Sequence, residues 1–319
     1  MKLRDLAVLL ALASIWGASF LFIRVAAPVL DPVILAEARV AIAGAALVIY
    51  ALATRRNLTL RAHWKNFLFL GAVNAAAPYA LIALAELQLT AGMGAILNAT
   101  TPLFTALVAA LWIRDPLTFK KLAGMVIGLV GVGVLVGWSP LPINLNVLLA
   151  IGALLLGSLC YGVGSVYARK AMVGVAPLAS ATGQQLGAVV ALLPLAIPVG
   201  IIAGPTIHLT WTVALAALTL ALLCTSVAYL LYFYLIAHIG ATSTTTVTML
   251  VPVFGLLWSA LFLHEVITPG AIVALLIIIS SVVLITGLRL PLPRRRIQAA
   301  PVVAAVREEL QKEPIAVGE

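Results

Sequence analysis

Ten apolar stretches, each long enough to cross about 30 Å of hydrocarbon as an α-helix, follow one another along this chain with short connections. They fall near residues 5–27, 32–53, 66–86, 90–113, 118–138, 146–170, 177–202, 211–238, 241–264 and 268–290. Lipid offers no water to a backbone N–H or C=O, so such a chain must satisfy its backbone internally, as helices. Composition leaves no soluble alternative. Of 319 residues 64% are hydrophobic and 9% charged, and the mean hydropathy is +1.19, too little polar surface to clothe a globule of this size. The expected fold is all-α integral membrane with ten transmembrane helices. Lys2 and Arg4 precede the first span as they would precede a signal peptide, but its length and the nine spans after it read as a retained helix.

The basic residues set the orientation. With the N-terminus in the cytoplasm, every Lys and Arg except Arg24 and Arg39 falls on that side or in the tail. Connections on the other side, such as APVLDP, GWSPLPINLN and AGPTIHLT, carry none, which by the positive-inside rule puts both termini inside. The excess of 19 Lys+Arg over 10 Asp+Glu therefore reports lipid topology. A nucleic-acid partner would need a water-exposed basic face that the chain lacks. Localisation in a bacterial-type inner (plasma) membrane, as a multi-pass protein in the lipid bilayer, is expected.

The chain also repeats itself. ATTPLFTALVAALWIRDPLT (99–118) lies over MLVPVFGLLWSALFLHEVIT (249–268) without a gap, pairing Pro102 with Pro252, Phe104 with Phe254 and Thr118 with Thr268, and Asp115 with Glu265. At the same spacing of 150, Tyr79 meets Tyr229 and Ala91 meets Ala241. Earlier the spacing is 145, pairing Trp16 with Tyr161, Gly17 with Gly162, Pro32 with Pro177 and Arg39 with Gln184. Each copy is five helices, residues 1–138 and 146–290, with a cytoplasmic tail at 291–319. An odd number of helices makes the second copy enter the membrane upside down, and inverted repeats of this kind point to a secondary transporter with its site near the midplane.

These residues carry a resemblance. A Trp-Gly or Tyr-Gly in the first helix, a Pro opening the second, a Pro within the fourth, an acid followed three residues later by Thr, and a Gly-rich fifth helix (GMVIGLVGVGVLVG, 124–137), all in duplicate over residues 5–290, resemble paired EamA domains of the drug/metabolite transporter superfamily. Within it, the chain resembles the ten-helix amino acid exporters, the aromatic amino acid branch included, more than carriers of sugar phosphates. The resemblance implies alternating access, with helices one, three and four of each unit lining a central cavity and helices five and ten peripheral. It also matches Arg39 to an Arg common in the second helix of the first unit.

Polar and aromatic groups at membrane depth are candidates for the substrate site, since lipid would leave them unsatisfied. They are Trp16, Tyr79, Asn98, Thr101, Tyr161, Tyr229, Ser243 and Thr244, with Asn74 and Gln185 as further members. A Ser or Thr can instead bond back to its own helix. Glu37, Arg39 and Glu86 are the candidate gating or charge residues, with Arg39 pairing one of the two acids or attracting a carboxylate. Gly124, Gly128, Gly131, Gly133 and Gly137 read as close helix packing, while Pro78, Pro102 and Pro252 are expected to kink their spans. Cys160 and Cys224 are single thiols in apolar runs, so no disulfide, metal site or cofactor is expected.

No phosphate-cradling loop or His-Glu-x-x-His spacing is present, and the chain is not read as an enzyme. The function expected is secondary transport of small neutral or zwitterionic metabolites, amino acids foremost, outward from the cytoplasm. A channel or an intramembrane enzyme acting on a lipid-soluble substrate remains the alternative. Direction, coupling ion and oligomeric state are not legible.

Overall fold

Helices account for all the regular secondary structure in the computed structural model among the residues it describes, which are 2–139, 141–142, 144–203, 207–244 and 246–286. The tail expected at 291–319 lies outside them. The first half contains α1 (Leu3–Leu30), α2 (Pro32–Ala53), α3 (Leu60–Gly71), α4 (Ala77–Ala85), α5 (Ala91–Asn98), α6 (Thr101–Ile113) and α7 (Phe119–Gly137). The second contains α8 (Leu145–Ala171), α9 (Pro177–Ala203), α10 (Trp211–Ala221), α11 (Ala228–Ile239), α12 (Ala241–Thr244), α13 (Val247–Leu263) and α14 (Pro269–Thr286). Counted as spans these are ten, with α3–α4, α5–α6, α10–α11 and α12–α13 each forming one. Nine spans among the described residues are long and apolar enough to cross a membrane, and Val247–Leu263 is a shorter apolar helix.

Local chemistry explains the boundaries. Asp31 caps α2 by accepting the Val33 N–H at 2.8 Å, with Pro32 in the first turn where its missing N–H costs nothing. Thr90, Thr118, Asn144, Thr210 and Thr268 cap α5, α7, α8, α10 and α14 through side-chain oxygens. The expected kink at Pro102 is a full break. Ala99 and Thr100 separate α5 from α6, and Pro102 sits in the first turn of the new helix. Pro252 lies inside α13.

The repeat is visible in the backbone. α3 passes into α4 through a π-turn at Ala72–Ala76, and α10 passes into α11 through one at Leu222–Val227, again 150 residues on. Arg114 and His264, also 150 apart, end their helices in left-handed conformations at φ 56° and 54°. The two halves interleave: α13 packs on α1, α9 on α2 and α3, and α8 on α4 and α6. Large apolar side chains such as Leu111, Phe119, Ile201 and Ile202 are exposed, as expected when lipid is the solvent.

α7 and α14, the fifth helix of each half, pack along each other through the glycine face. The Ser281 hydroxyl donates to the Gly124 carbonyl at 2.7 Å, and a methyl group at Gly128 would stand 2.8 Å from Ser281 Oγ while overlapping Leu103. Overpacking of this kind costs about 1–3 kcal/mol. Gly128→Leu is expected to lower the monodisperse fraction on size exclusion, while the protein that survives keeps the parent's substrate affinity. Normal yield with collapsed affinity would make this face part of the site.

Candidate functional site

Between the halves lies a cavity of about 300 Å³, lined from α1, α2, α4, α5, α6, α8, α11, α13 and the first π-turn, and by no residue of α7 or α14. Aromatic rings form much of its wall: Trp16, Tyr79, Tyr161, Tyr229 and Tyr232. Trp16 and Tyr232 are in contact, with ring centroids 5.6 Å apart. Repeat mates face each other across it: Trp16 and Tyr161, Phe20 and Ser165, Tyr79 and Tyr229, Asn98 and Thr248, Pro102 and Pro252.

Arg39 carries the sole charge among the described lining residues. It is buried, its guanidinium carbon 3.8 Å from the centroid of the Tyr79 ring, a close cation–π stack. Its Nε donates to Thr225 Oγ1 at 2.9 Å, and that hydroxyl donates on to the Leu220 carbonyl at 2.9 Å. The expected acidic partner is missing. Among the described residues no carboxylate lies within 4.0 Å of Arg39; the ion pair found there joins Lys121 and Asp115. Glu37 lies on α2 away from the cavity. Glu86 is fully buried beyond the end of α4, where its main-chain oxygen accepts from Arg24 Nη1.

The polar wall opposite is a chain of hydrogen bonds. Asn74 Nδ2 donates to Gln184 Oε1 at 2.9 Å, and Gln184 Nε2 donates to the Tyr229 hydroxyl at 2.9 Å. Asn98 lines the cavity, and its Oδ1 is buried and unpartnered among the described residues. Thr101 lines the cavity with its hydroxyl donated to the Asn98 carbonyl at 2.7 Å.

Of the candidates read from sequence, Trp16, Arg39, Tyr79, Asn98, Thr101, Tyr161 and Tyr229 converge on this cavity, and so does Asn74. Ser243 and Thr244 do not line it. Ser243 is exposed, and Thr244 is buried with its hydroxyl donated to the Gly240 carbonyl at 2.8 Å. Gln185 is buried elsewhere, and its neighbour Gln184 makes the bonds. Thr248 and Ser165 were missed. The repeat held the signal, since adding 150 to Asn98 gives Thr248.

A second arrangement ties the outer ends of the spans. Glu265 Oε1 accepts the Ala91 N–H at 2.9 Å and Oε2 the Gly92 N–H at 3.0 Å, capping α5 from the other half with charge favourable to the helix dipole. Its repeat mate Asp115, at the opposite end of the membrane, bonds instead to Lys121 Nζ at 3.1 Å on its own connection.

Paired halves, ten helices and a cavity between them agree with a comparison against known families. Residues 4–137 and 148–287 each match the EamA-like transporter family. The chain belongs to that family. EamA-like relatives include the uncharacterized inner membrane transporter YedA of Escherichia coli (strain K12), 28% identical over 312 residues and covering 96% of both chains. The uncharacterized transporter YvbV of Bacillus subtilis (strain 168) is 25% identical over 289 residues, covering 89% of this chain and 92% of its own. A probable terminal-alkyne amino-acid exporter of Streptantibioticus cattleyicolor is 29% identical over 294 residues, 90% of this chain and 94% of its own. A solved crystal structure shares the fold with a TM-score of 0.64 at 16% identity, over 89% of this chain and 96% of that one. The protein is thus a multi-pass inner-membrane member of a transporter family.

Proposed function

We propose that this EamA-like protein is a secondary transporter that exports small zwitterionic metabolites, amino acids foremost, by exposing the cavity to each side of the membrane in turn. Residues 1–138 and 146–290 act as the two inverted units. The observation that carries this reading is the buried Arg39 guanidinium, which has no protein carboxylate within 4.0 Å among the described residues. A buried charge with no counter-charge in direct contact is expensive in low dielectric. A substrate carboxylate supplies the missing charge, while Asn98 Oδ1, an acceptor without a donor among the described residues, receives its ammonium group. Trp16, Tyr79, Tyr161 and Tyr229 enclose the apolar part, and Thr101 borders the polar end. Ser243, Thr244, Glu37 and Glu86 lie outside the cavity and have no place in this binding set. The volume of about 300 Å³ lies at the small end of the range for ligand sites. The Streptantibioticus relative, a probable terminal-alkyne amino-acid exporter, adds support from the same chemical class.

Counterflow tests this directly. Proteoliposomes preloaded with unlabelled amino acids are expected to take up labelled amino acid saturably, with competition by zwitterionic amino acids and none by nucleosides, and those preloaded with nucleosides are expected to show no counterflow. Flux that does not saturate and shows no counterflow indicates a channel. Counterflow by nucleosides alone overturns the substrate class.

A further inference from the structure

Arg39 and Gln184 are the same position of the repeat, 145 residues apart, and the structure gives them mirrored surroundings. Arg39 stacks on Tyr79 of its own half and bonds Thr225 in the π-turn of the other half. Gln184 bonds Tyr229 of its own half and Asn74 in the π-turn of the other half. Tyr79 and Tyr229 are themselves repeat mates, as are the two π-turns. Each half therefore reaches across with one side chain to clasp the other half's π-turn and to hold its own tyrosine. What differs is charge: one clasp is a guanidinium, the other a neutral amide.

We infer that Gln184 is a specificity-determining residue, acting through Tyr229 and Asn74, that makes one pole of the cavity neutral and so restricts cargo to a single anionic group. This rests on the reading of Arg39 as the carboxylate anchor and deepens it. Gln184 itself does not line the cavity. Both ends of its amide are used, Oε1 on Asn74 and Nε2 on Tyr229, so it offers no charge to the substrate and presents the Tyr229 hydroxyl in place of one. An arginine here would reproduce the Arg39 clasp and give the cavity a second cation. A cargo with two anionic groups, poorly matched to a cavity with one positive charge, would then be neutralised at both poles. A glutamate here would do the reverse and favour cargo carrying an additional ammonium group.

The test is a change of ranking. Purified parent, Gln184→Arg and Gln184→Glu are titrated with leucine, glutamate, succinate and lysine, reading binding by thermal shift and by the fluorescence of Trp16, with a Trp16→Phe control identifying its signal. Gln184→Arg is expected to raise succinate and glutamate affinity relative to leucine by about tenfold or more, the size of one added charge-assisted hydrogen bond. Gln184→Glu is expected to shift the ranking toward lysine by a similar factor. A purely structural residue would lower all four affinities together. Folded variants that keep the parent's ranking overturn the inference, and if Gln184→Arg does not fold, the lysine-to-leucine ratio of Gln184→Glu decides. A parent that binds none of the four while Gln184→Arg gains succinate defeats the amino-acid reading and leaves the role of position 184 standing. No gain by either variant defeats that role.

Discussion

Arg39→Met is expected to abolish detectable amino acid binding while leaving the substrate-free protein at least as stable as the parent. The two effects have opposite signs because the guanidinium is buried with no carboxylate within 4.0 Å among the described residues. In the empty protein it is a desolvated charge eased by a hydroxyl and a ring, and an apolar side chain of similar length can occupy the same place against Tyr79. With substrate bound it is half of a buried ion pair, and removing one partner of such a pair costs about 3–5 kcal/mol, more than a hundredfold in affinity. Arg39→Lys keeps the charge but loses the planar stack on Tyr79 and the Nε bond to Thr225, so an intermediate loss is expected. Thermal shift with and without substrate reads both signs in one experiment. A falling midpoint in the empty protein with an undiminished substrate shift would make Arg39 a structural clamp.

Glu265→Ala is expected to open the outer end. Its two oxygens take the Ala91 and Gly92 N–H groups at 2.9 and 3.0 Å. Hydrogen bonds to a charged group are worth about 1.5–3 kcal/mol each. Losing both shifts an outward-opening equilibrium by about a hundredfold or more. The check is a cysteine at Thr101 in a background lacking Cys160 and Cys224, labelled by a membrane-impermeant reagent applied from outside. The rate should rise strongly in Glu265→Ala, less in Glu265→Gln, and hardly at all in Asp115→Ala, whose ion pair with Lys121 is partly exposed and worth at most about 1 kcal/mol. An outside rate unmoved by Glu265→Ala would show that the cap does not hold that end closed.

Much of this architecture is legible in the sequence because lipid makes helix existence a matter of length and apolarity, and because duplication repeats each signal. The ten spans and the mating of Tyr79 with Tyr229 follow from those two facts. The glycine run is legible only in part: Gly124, Gly128 and Gly131 face neighbouring side chains, but a methyl group at Gly133 or Gly137, expected to pack in the same way, would meet nothing within 4 Å because these two lie on another side of α7. The break after Asn98 is harder to read, since Pro102 is compatible with either a kink or a fresh first turn. The π-turns leave no common composition: AVNAA and LLCTSV share little beyond position. Ser243 and Thr244 were chosen for their hydroxyls, but a hydroxyl count does not say which side of a helix faces the cavity. Thr244 satisfies itself on Gly240. Thr248 carries no stronger local signal than its neighbours and is found through its mate, Asn98.

The paired π-turns shield the direction of two side chains from small changes in chain length. Tyr79 follows the turn at Ala72–Ala76, and Tyr229 follows the turn at Leu222–Val227. Each residue of an α-helix advances the azimuth by about 100°. A π-turn holds one residue more than an α-turn, so deleting a single residue from either turn would close it to regular helix and leave the tyrosine beyond it near the cavity wall, whereas the same deletion between the turn and the tyrosine would swing that tyrosine by about 100°. A residue gained or lost here is therefore taken up by the width of the turn, so related chains can differ in length at this point and still present the same residues to the cavity.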